Sequence, residues 1–224
     1  MTSFALQSGL KDILRRAPVV PVVVIEKLVD AASLARALVA GGLPVIEVTL
    51  RTTAALEAIR IIATEVEGAV VGAGTVLSPR QLEAAREAGA RFAVSPGATD
   101  DLLNAAGGLG VPLLPGIASA SEAMALIARG YQFAKFFPAE PAGGVPYLKA
   151  LASPLPQLQF CPTGGLTPAT APDYLALPNV ICIGGTWMLR PEVIAARDWE
   201  AVTAVSRQAA RLRATNRQTG LLPV

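Results

Sequence analysis

The chain of 224 residues contains no histidine, and this absence removes Ser-His and Cys-His nucleophilic pairs together with His-ligated zinc. Any chemistry must run on Lys, Glu, Asp, Arg, Tyr or Thr. Cysteine is scarce: Cys161 and Cys182 each sit in an apolar strand-like run, without a CxxC partner, and read as buried thiols. Charge is scarce as well, at 16% of residues and a net +2, with no basic stripe interleaved with aromatics, so the footprint of a nucleic-acid binder is missing. The arginines at 207, 211, 213 and 217 read as a solvated helix face. Long hydrophobic runs are lacking: Ala17 to Ile25 contains two prolines and is far short of the ~20 residues a membrane helix needs, so no membrane partner is expected. The opening segment Met1 to Arg16 puts its basic residues after its apolar ones and lacks a small-residue cleavage pattern, the reverse of a secretory signal. A cytoplasmic location is the expectation.

What is present is apolar residues, at 52% of the chain, without a linker, low-complexity tract or charge block to mark a boundary. That composition and length fit one domain over residues 1–224 with a single large core. Short β-branched runs alternate with alanine-rich stretches. The eight strand-like runs are Val19 to Ile25, Val45 to Leu50, Ala69 to Val76, Arg91 to Ser95, Pro112 to Ile117, Gln132 to Phe137, Leu158 to Thr163 and Val180 to Gly184. Helices are expected over Ala31 to Ala40, Thr53 to Val66, Pro79 to Ala88, Asp100 to Ala106, Ala120 to Arg129, Val145 to Ala152 and Pro168 to Leu177, with Ser78, Thr99 and Thr167 as cap signals. Repeated βα units predict an α/β fold, a (β/α)8 TIM barrel, with an N-terminal helix near Phe4 to Arg15 capping its N-terminal end. A doubly wound open sheet is the alternative; no GxGxxG follows the first strand to favour it.

Alternation along a strand then sorts the side chains. The outer face of a barrel strand packs on helices and must be apolar, whereas the inner face tolerates polar groups at the C-terminal mouth. In the second run, Ile46, Val48 and Leu50 share one face and Glu47, Thr49 and Arg51 the other. A Glu47–Arg51 ion pair that merely satisfies itself is the structural alternative to a catalytic role. The sixth run, Gln132 to Phe137, sets Lys135 among phenylalanines, where burial penalises the ammonium and lowers its pKa. A neutral lysine amine attacks ketones to form Schiff bases; the alternative is a lysine that snorkels to the rim. Gly164-Gly165 follows the seventh run and Gly184-Gly185-Thr186 the eighth, where barrels hold phosphate against backbone amides. Gly72-Ala73-Gly74-Thr75 in the third run would clear space for a ligand beside the Thr75 hydroxyl.

The segments Glu47 to Thr52, Gly72 to Val76, Ser95-Pro96-Gly97, Lys135 to Glu140 and Cys161 to Gly165 together resemble the 2-keto-3-deoxy-6-phosphogluconate (KDPG) aldolase family, in order and over nearly the whole chain. Val20-Pro21-Val22 and Ala40-Gly41-Gly42 add to the likeness. The resemblance implies a class I aldolase on a (β/α)8 barrel, trimeric, with no cofactor and no metal, in the Entner-Doudoroff pathway. Its implied partners are pyruvate, glyceraldehyde 3-phosphate and their aldol. It also implies that Lys135 is the Schiff-base lysine, that Glu47 moves protons through a bound water, and that Arg51 and Thr75 hold the pyruvyl carboxylate. Pro96, Phe137 and Thr163 would line the pocket, and Gly164, Gly165, Gly184, Gly185 and Thr186 would serve the phosphate. Family members usually read Gly-Gly-Ser-Trp where this chain has Gly184-Gly185-Thr186-Trp187, so an altered preference between phosphorylated and short acids is expected. Trp187 reads as rim packing, and Thr163 favours the gluconate over the galactonate epimer by analogy. The competing readings are 4-hydroxy-2-oxoglutarate as the main substrate, a catalytically silent phosphate-binding barrel, and a metal-dependent aldolase, against which the missing histidines argue.

Overall fold

The computed structural model describes residues 3–213, which leaves Arg217 of the expected basic face outside the described residues. Helix α1 (Ser3–Leu14) leads into a series of strands: β1 (Val19–Val23), β2 (Val45–Thr49), β3 (Val70–Gly74), β4 (Ala93–Val94), β5 (Leu113–Leu114), β6 (Gly116–Ile117), β7 (Phe133–Phe136), β8 (Gln159–Pro162) and β9 (Ile183–Gly185). The helices between them are α2 (Ala31–Ala40), α3 (Ala55–Glu65), α4 (Pro79–Glu87), α5 (Asp100–Leu109), α6 (Ala120–Ala128), α7 (Gly144–Ala152) and α8 (Ala171–Leu175); α9 (Pro191–Ala195) and α10 (Trp199–Ala210) follow β9. The result is an α/β fold whose strands pair in parallel in the orders β5-β4-β3-β2-β1-β9 and β6-β7-β8. The bridges Phe160↔Val180 and Thr163↔Gly184 link β8 to the segment that enters β9.

Alternation works as the sequence predicts. Ile46 and Val48 of β2, Ala134 and Phe136 of β7 and Phe160 of β8 join the core between strands and helices. Val20, Val45, Phe92, Val94, Leu114, Phe133 and Cys161 turn to the opposite, inner face and cluster there with Leu10 and Leu14 of α1. Two residues further along the same faces stand Glu47 after Val45 and Lys135 after Phe133. The inner face is therefore apolar at the strand starts and polar at their ends. Gly72 belongs to the same packing, since a Cβ there would fall 2.4 Å from the Phe92 ring.

Several boundaries differ from the expected ones for physical reasons. The expected strand Pro112 to Ile117 is interrupted at Pro115, which has no N–H for the ladder, although its carbonyl still accepts from Lys135 N at 2.8 Å. Ser78 and Thr99 cap α4 and α5, accepting from Gln81 N at 3.3 Å and Leu102 N at 3.4 Å. Thr167 does not cap a helix that starts at Pro168. It instead exchanges hydrogen bonds with Thr170 in a turn, and α8 begins only at Ala171. Helix α5 runs three residues past Ala106, through Gly107 and Gly108, to stop at Gly110 in the left-handed region that glycine favours (φ 68°). Both cysteines are buried, as expected.

Candidate active site

The inner face places the two candidate catalytic groups in contact. Lys135 Nζ donates to Glu47 Oε1 at 3.2 Å, and the residues are 6% and 3% exposed. The lysine does not snorkel. The Phe137 ring lies 5.2 Å from the ammonium, which sits over its face. On the strand beside Glu47, Gly74 is the only residue type that fits, because a Cβ at this position would lie 2.3 Å from Glu47 Oε1. The glycine thus lets the carboxylate lie across β3 and reach Lys135.

Arg51 corrects the reading by alternation. It lies beyond the end of β2, where the chain turns and Arg51 N donates to Thr49 O at 2.8 Å. Strand parity no longer applies there. Arg51 is exposed, makes no ion pair with Glu47, and its Nε donates to Thr75 Oγ1 at 3.3 Å. The cation that faces Glu47 is Lys135. Thr75 follows β3 directly at φ 57°, a left-handed conformation that costs a non-glycine residue of order 1–3 kcal/mol and is typical of sites where a side chain must be aimed. Arg51 and Thr75 form a polar pair at the rim, one residue from Gly74 and its Glu47 contact.

The remaining expected residues lie on or just beyond the ends of β4, β8 and β9. Gly116 pairs in register with Lys135, and a Cβ on it would meet Pro96 O at 2.2 Å, so Pro96 closes against the neighbouring strand. Thr163 is buried and bridges to Gly184, where a Cβ would fall 2.2 Å from its Oγ1. Gly185 is glycine for a different reason: Trp187 packs its ring there and against the core. Gly164 and Gly165 take φ values of 104° and 83°, and their N–H groups find no acceptor among the described residues. Two adjacent free donors on an exposed turn suit an anion. Thr186 is exposed and faces a cavity of about 480 Å³ bounded by Val22, Val24, Leu189, Pro191 and Arg197.

Two residues escaped the sequence reading. Tyr174, on α8, is fully buried and its hydroxyl donates to Glu140 Oε1 at 2.5 Å. Burial first, then the Glu140 carboxylate, pushes the phenol well above its ordinary range. Glu140 was visible only as part of the Lys135 to Glu140 motif; no local spacing connects it with Tyr174.

The chain is similar to known aldolases. The aldolase family described as KDPG and KHG aldolase matches residues 10–205. The KHG/KDPG aldolase of Escherichia coli K12 is 52% identical over 203 residues, covering 91% of this chain and 95% of that protein. A solved 2-keto-3-deoxy-6-phosphogluconate aldolase of Zymomonas mobilis with 3-phosphoglycerate superposes with a TM-score of 0.87 at 49% identity, covering 92% of this chain and 97% of that one. A KDPG aldolase from Legionella pneumophila, with pyruvate captured as a covalent carbinolamine intermediate, gives a TM-score of 0.87 at 45% identity over 89% of this chain and 97% of that one.

Proposed function

The chain belongs to the KDPG and KHG aldolase family, and from that premise we propose that Lys135 is its Schiff-base nucleophile and Glu47 its proton carrier. It is a class I aldolase, a carbon–carbon lyase that cleaves 2-dehydro-3-deoxy-6-phosphogluconate reversibly to pyruvate and glyceraldehyde 3-phosphate. The observation that carries the residue assignment is the buried hydrogen bond between Lys135 Nζ and Glu47 Oε1, a distance across which a proton passes directly.

Each step then has a group to perform it. Glu47 takes the proton from Lys135, and the neutral amine adds to C2 of the substrate. Loss of water gives an iminium, which withdraws electrons from C3. Glu47, freed of its proton through water, accepts the proton of the C4 hydroxyl. The C3–C4 bond breaks, its electron pair passes into the iminium to form an enamine, and the aldehyde leaves. Return of the proton to C3 and hydrolysis release pyruvate. Arg51 binds the pyruvyl carboxylate in a two-pronged geometry, with Thr75 as a further donor. Pro96, Phe137 and Thr163 enclose the chain of the substrate, and the free amides of Gly164 and Gly165, with Gly184, Gly185 and Thr186, receive the phosphate.

The frame we propose is one domain, a closed (β/α)8 barrel. Support comes from the β1–β9 pairing, the two bridges from β8 and the continuity of β5 and β6 across Pro115. The packing of Leu10 and Leu14 among inner-face residues supports α1 as the cap over its floor. Among the described residues no helix is long and apolar enough to cross a membrane. A cytoplasmic homotrimer is the assembly and location we propose.

The reading is tested by supplying the purified chain with the phosphorylated aldol and following pyruvate by coupled oxidation of NADH. Release of pyruvate at the same rate with and without EDTA is expected. No release, or a rate abolished by EDTA, contradicts a class I mechanism. Thr186 sets a second expectation, because its methyl stands where family members usually carry serine. Thr186→Ser is expected to raise the ratio of kcat/KM for the phosphorylated aldol over that for 4-hydroxy-2-oxoglutarate by about tenfold. An unchanged ratio removes Thr186 from the phosphate end.

A further inference from the structure

The chain that leaves the Lys135 strand and the chain that leaves β8 continue to pair beyond the ends of both strands. Ala139 N donates to Thr163 O at 2.8 Å, and Glu140 N to Gly164 O at 3.1 Å. The side chain of Glu140 then lies over Gly165, where a Cβ would meet Glu140 Cβ and Cγ at 2.8 Å. From the far side Tyr174 Oη reaches Glu140 Oε1 at 2.5 Å. Gly144 opens α7 at φ 59°, and a Cβ on it would crowd the Tyr174 hydroxyl at 3.3 Å. Two glycines therefore give way to one hydrogen bond.

That bond anchors the turn. Glu140 is tied through its own N–H to Gly164 O, next to the Gly164-Gly165 N–H groups, the donors that a phosphate needs. Tyr174 is fully buried, so its hydroxyl holds the Glu140 side chain, and with it this stretch of backbone, against the body of the fold. Burial and the Glu140 carboxylate both favour the protonated, donating form of the phenol.

We propose that Glu140 and Tyr174 are positioning residues for the phosphate end of the substrate: the Tyr174 hydroxyl holds the Glu140 side chain and so fixes the turn that presents the Gly164-Gly165 amides. The proposal rests on the reading of that turn as the phosphate site. It implies that the pair acts on phosphorylated substrate and leaves the pyruvate half of the reaction alone.

The test compares wild type, Tyr174→Phe, Glu140→Gln and Glu140→Ala on the phosphorylated aldol and on 4-hydroxy-2-oxoglutarate, with inorganic phosphate as a competing probe. Tyr174→Phe is expected to raise KM for the phosphorylated aldol, and Ki for phosphate, by about tenfold, with kcat within a factor of about two. Values for 4-hydroxy-2-oxoglutarate stay at wild type. Glu140→Gln, which keeps an acceptor for Tyr174, stays near wild type, whereas Glu140→Ala follows Tyr174→Phe. Equal losses on both substrates, or an unchanged KM in both Tyr174→Phe and Glu140→Ala, overturn the proposal. If Tyr174→Phe does not fold, the comparison of Glu140→Ala with Glu140→Gln decides, because residue 140 is exposed. Borohydride trapping of pyruvate on wild type reports separately on Lys135: a normal trap with an unchanged KM strikes the positioning pair alone, and no trap strikes the aldolase reading itself.

Discussion

Glu47→Gln is expected to lower kcat for aldol cleavage by about 10²–10⁴-fold while the pyruvate adduct on Lys135 still forms on long incubation. Two observations fix this split. Glu47 is the carboxylate that touches Lys135, so in the proposed reaction it is the base next to the amine that holds the substrate. It also sits against Gly74, whose missing side chain leaves the carboxylate room to lie across β3 toward Lys135. The amide of glutamine keeps the hydrogen bond to a neutral amine and cannot accept a proton from the C4 hydroxyl. Carbon–carbon cleavage therefore suffers most, and Schiff-base formation with pyruvate less. Single-turnover cleavage and mass-resolved trapping, run side by side, separate the two. Equal loss of both would assign Glu47 to activation of the lysine alone, and wild-type cleavage would remove it from the chemistry.

Lys135→Ala is expected to lower kcat/KM by at least about 10⁵-fold, because among the described residues Lys135 is the amine paired with Glu47. The cost to stability is predictable too. Truncating one partner of a buried ion pair leaves the other charge unpaired, at about 3–5 kcal/mol. Lys135→Ala is therefore expected to melt lower than wild type, and the added change Glu47→Gln to restore part of the loss. Urea unfolding of the single and double variants measures it. Additive losses would mean that the two side chains do not interact in solution as they do in the structure.

Much of this was legible in the sequence wherever the determining rule is local. Parity along β2 and β7 is a property of consecutive residues, and it set Glu47 and Lys135 on the inner face with Val45 and Phe133 below them. The same rule failed at Arg51, because it holds only while the strand lasts and β2 ends at Thr49. Pro115 split an expected strand for a reason also written locally, the missing N–H. The capping hydroxyls Ser78 and Thr99 were legible, while Thr167 misled because Thr170, three residues on, offered it a closed turn. Illegible were the contacts that only the assembled fold creates. Gly74 is required by a carboxylate from a neighbouring strand, Gly185 by the Trp187 ring, and Tyr174 finds Glu140 across 34 positions. A glycine pair read alone signals a tight turn or a ligand. Here Gly165, Gly184 and Gly185 answer to Glu140, Thr163 and Trp187, and the free amides of Gly164 and Gly165 carry the case for phosphate.

The central claim, that Lys135 forms the Schiff base, is tested most directly by reducing the wild-type protein with borohydride in the presence of pyruvate and mapping the modified peptide by mass. The account predicts a single pyruvyl-sized addition on Lys135, absent from Lys135→Ala. No adduct on folded protein, or an adduct on another lysine, would contradict it.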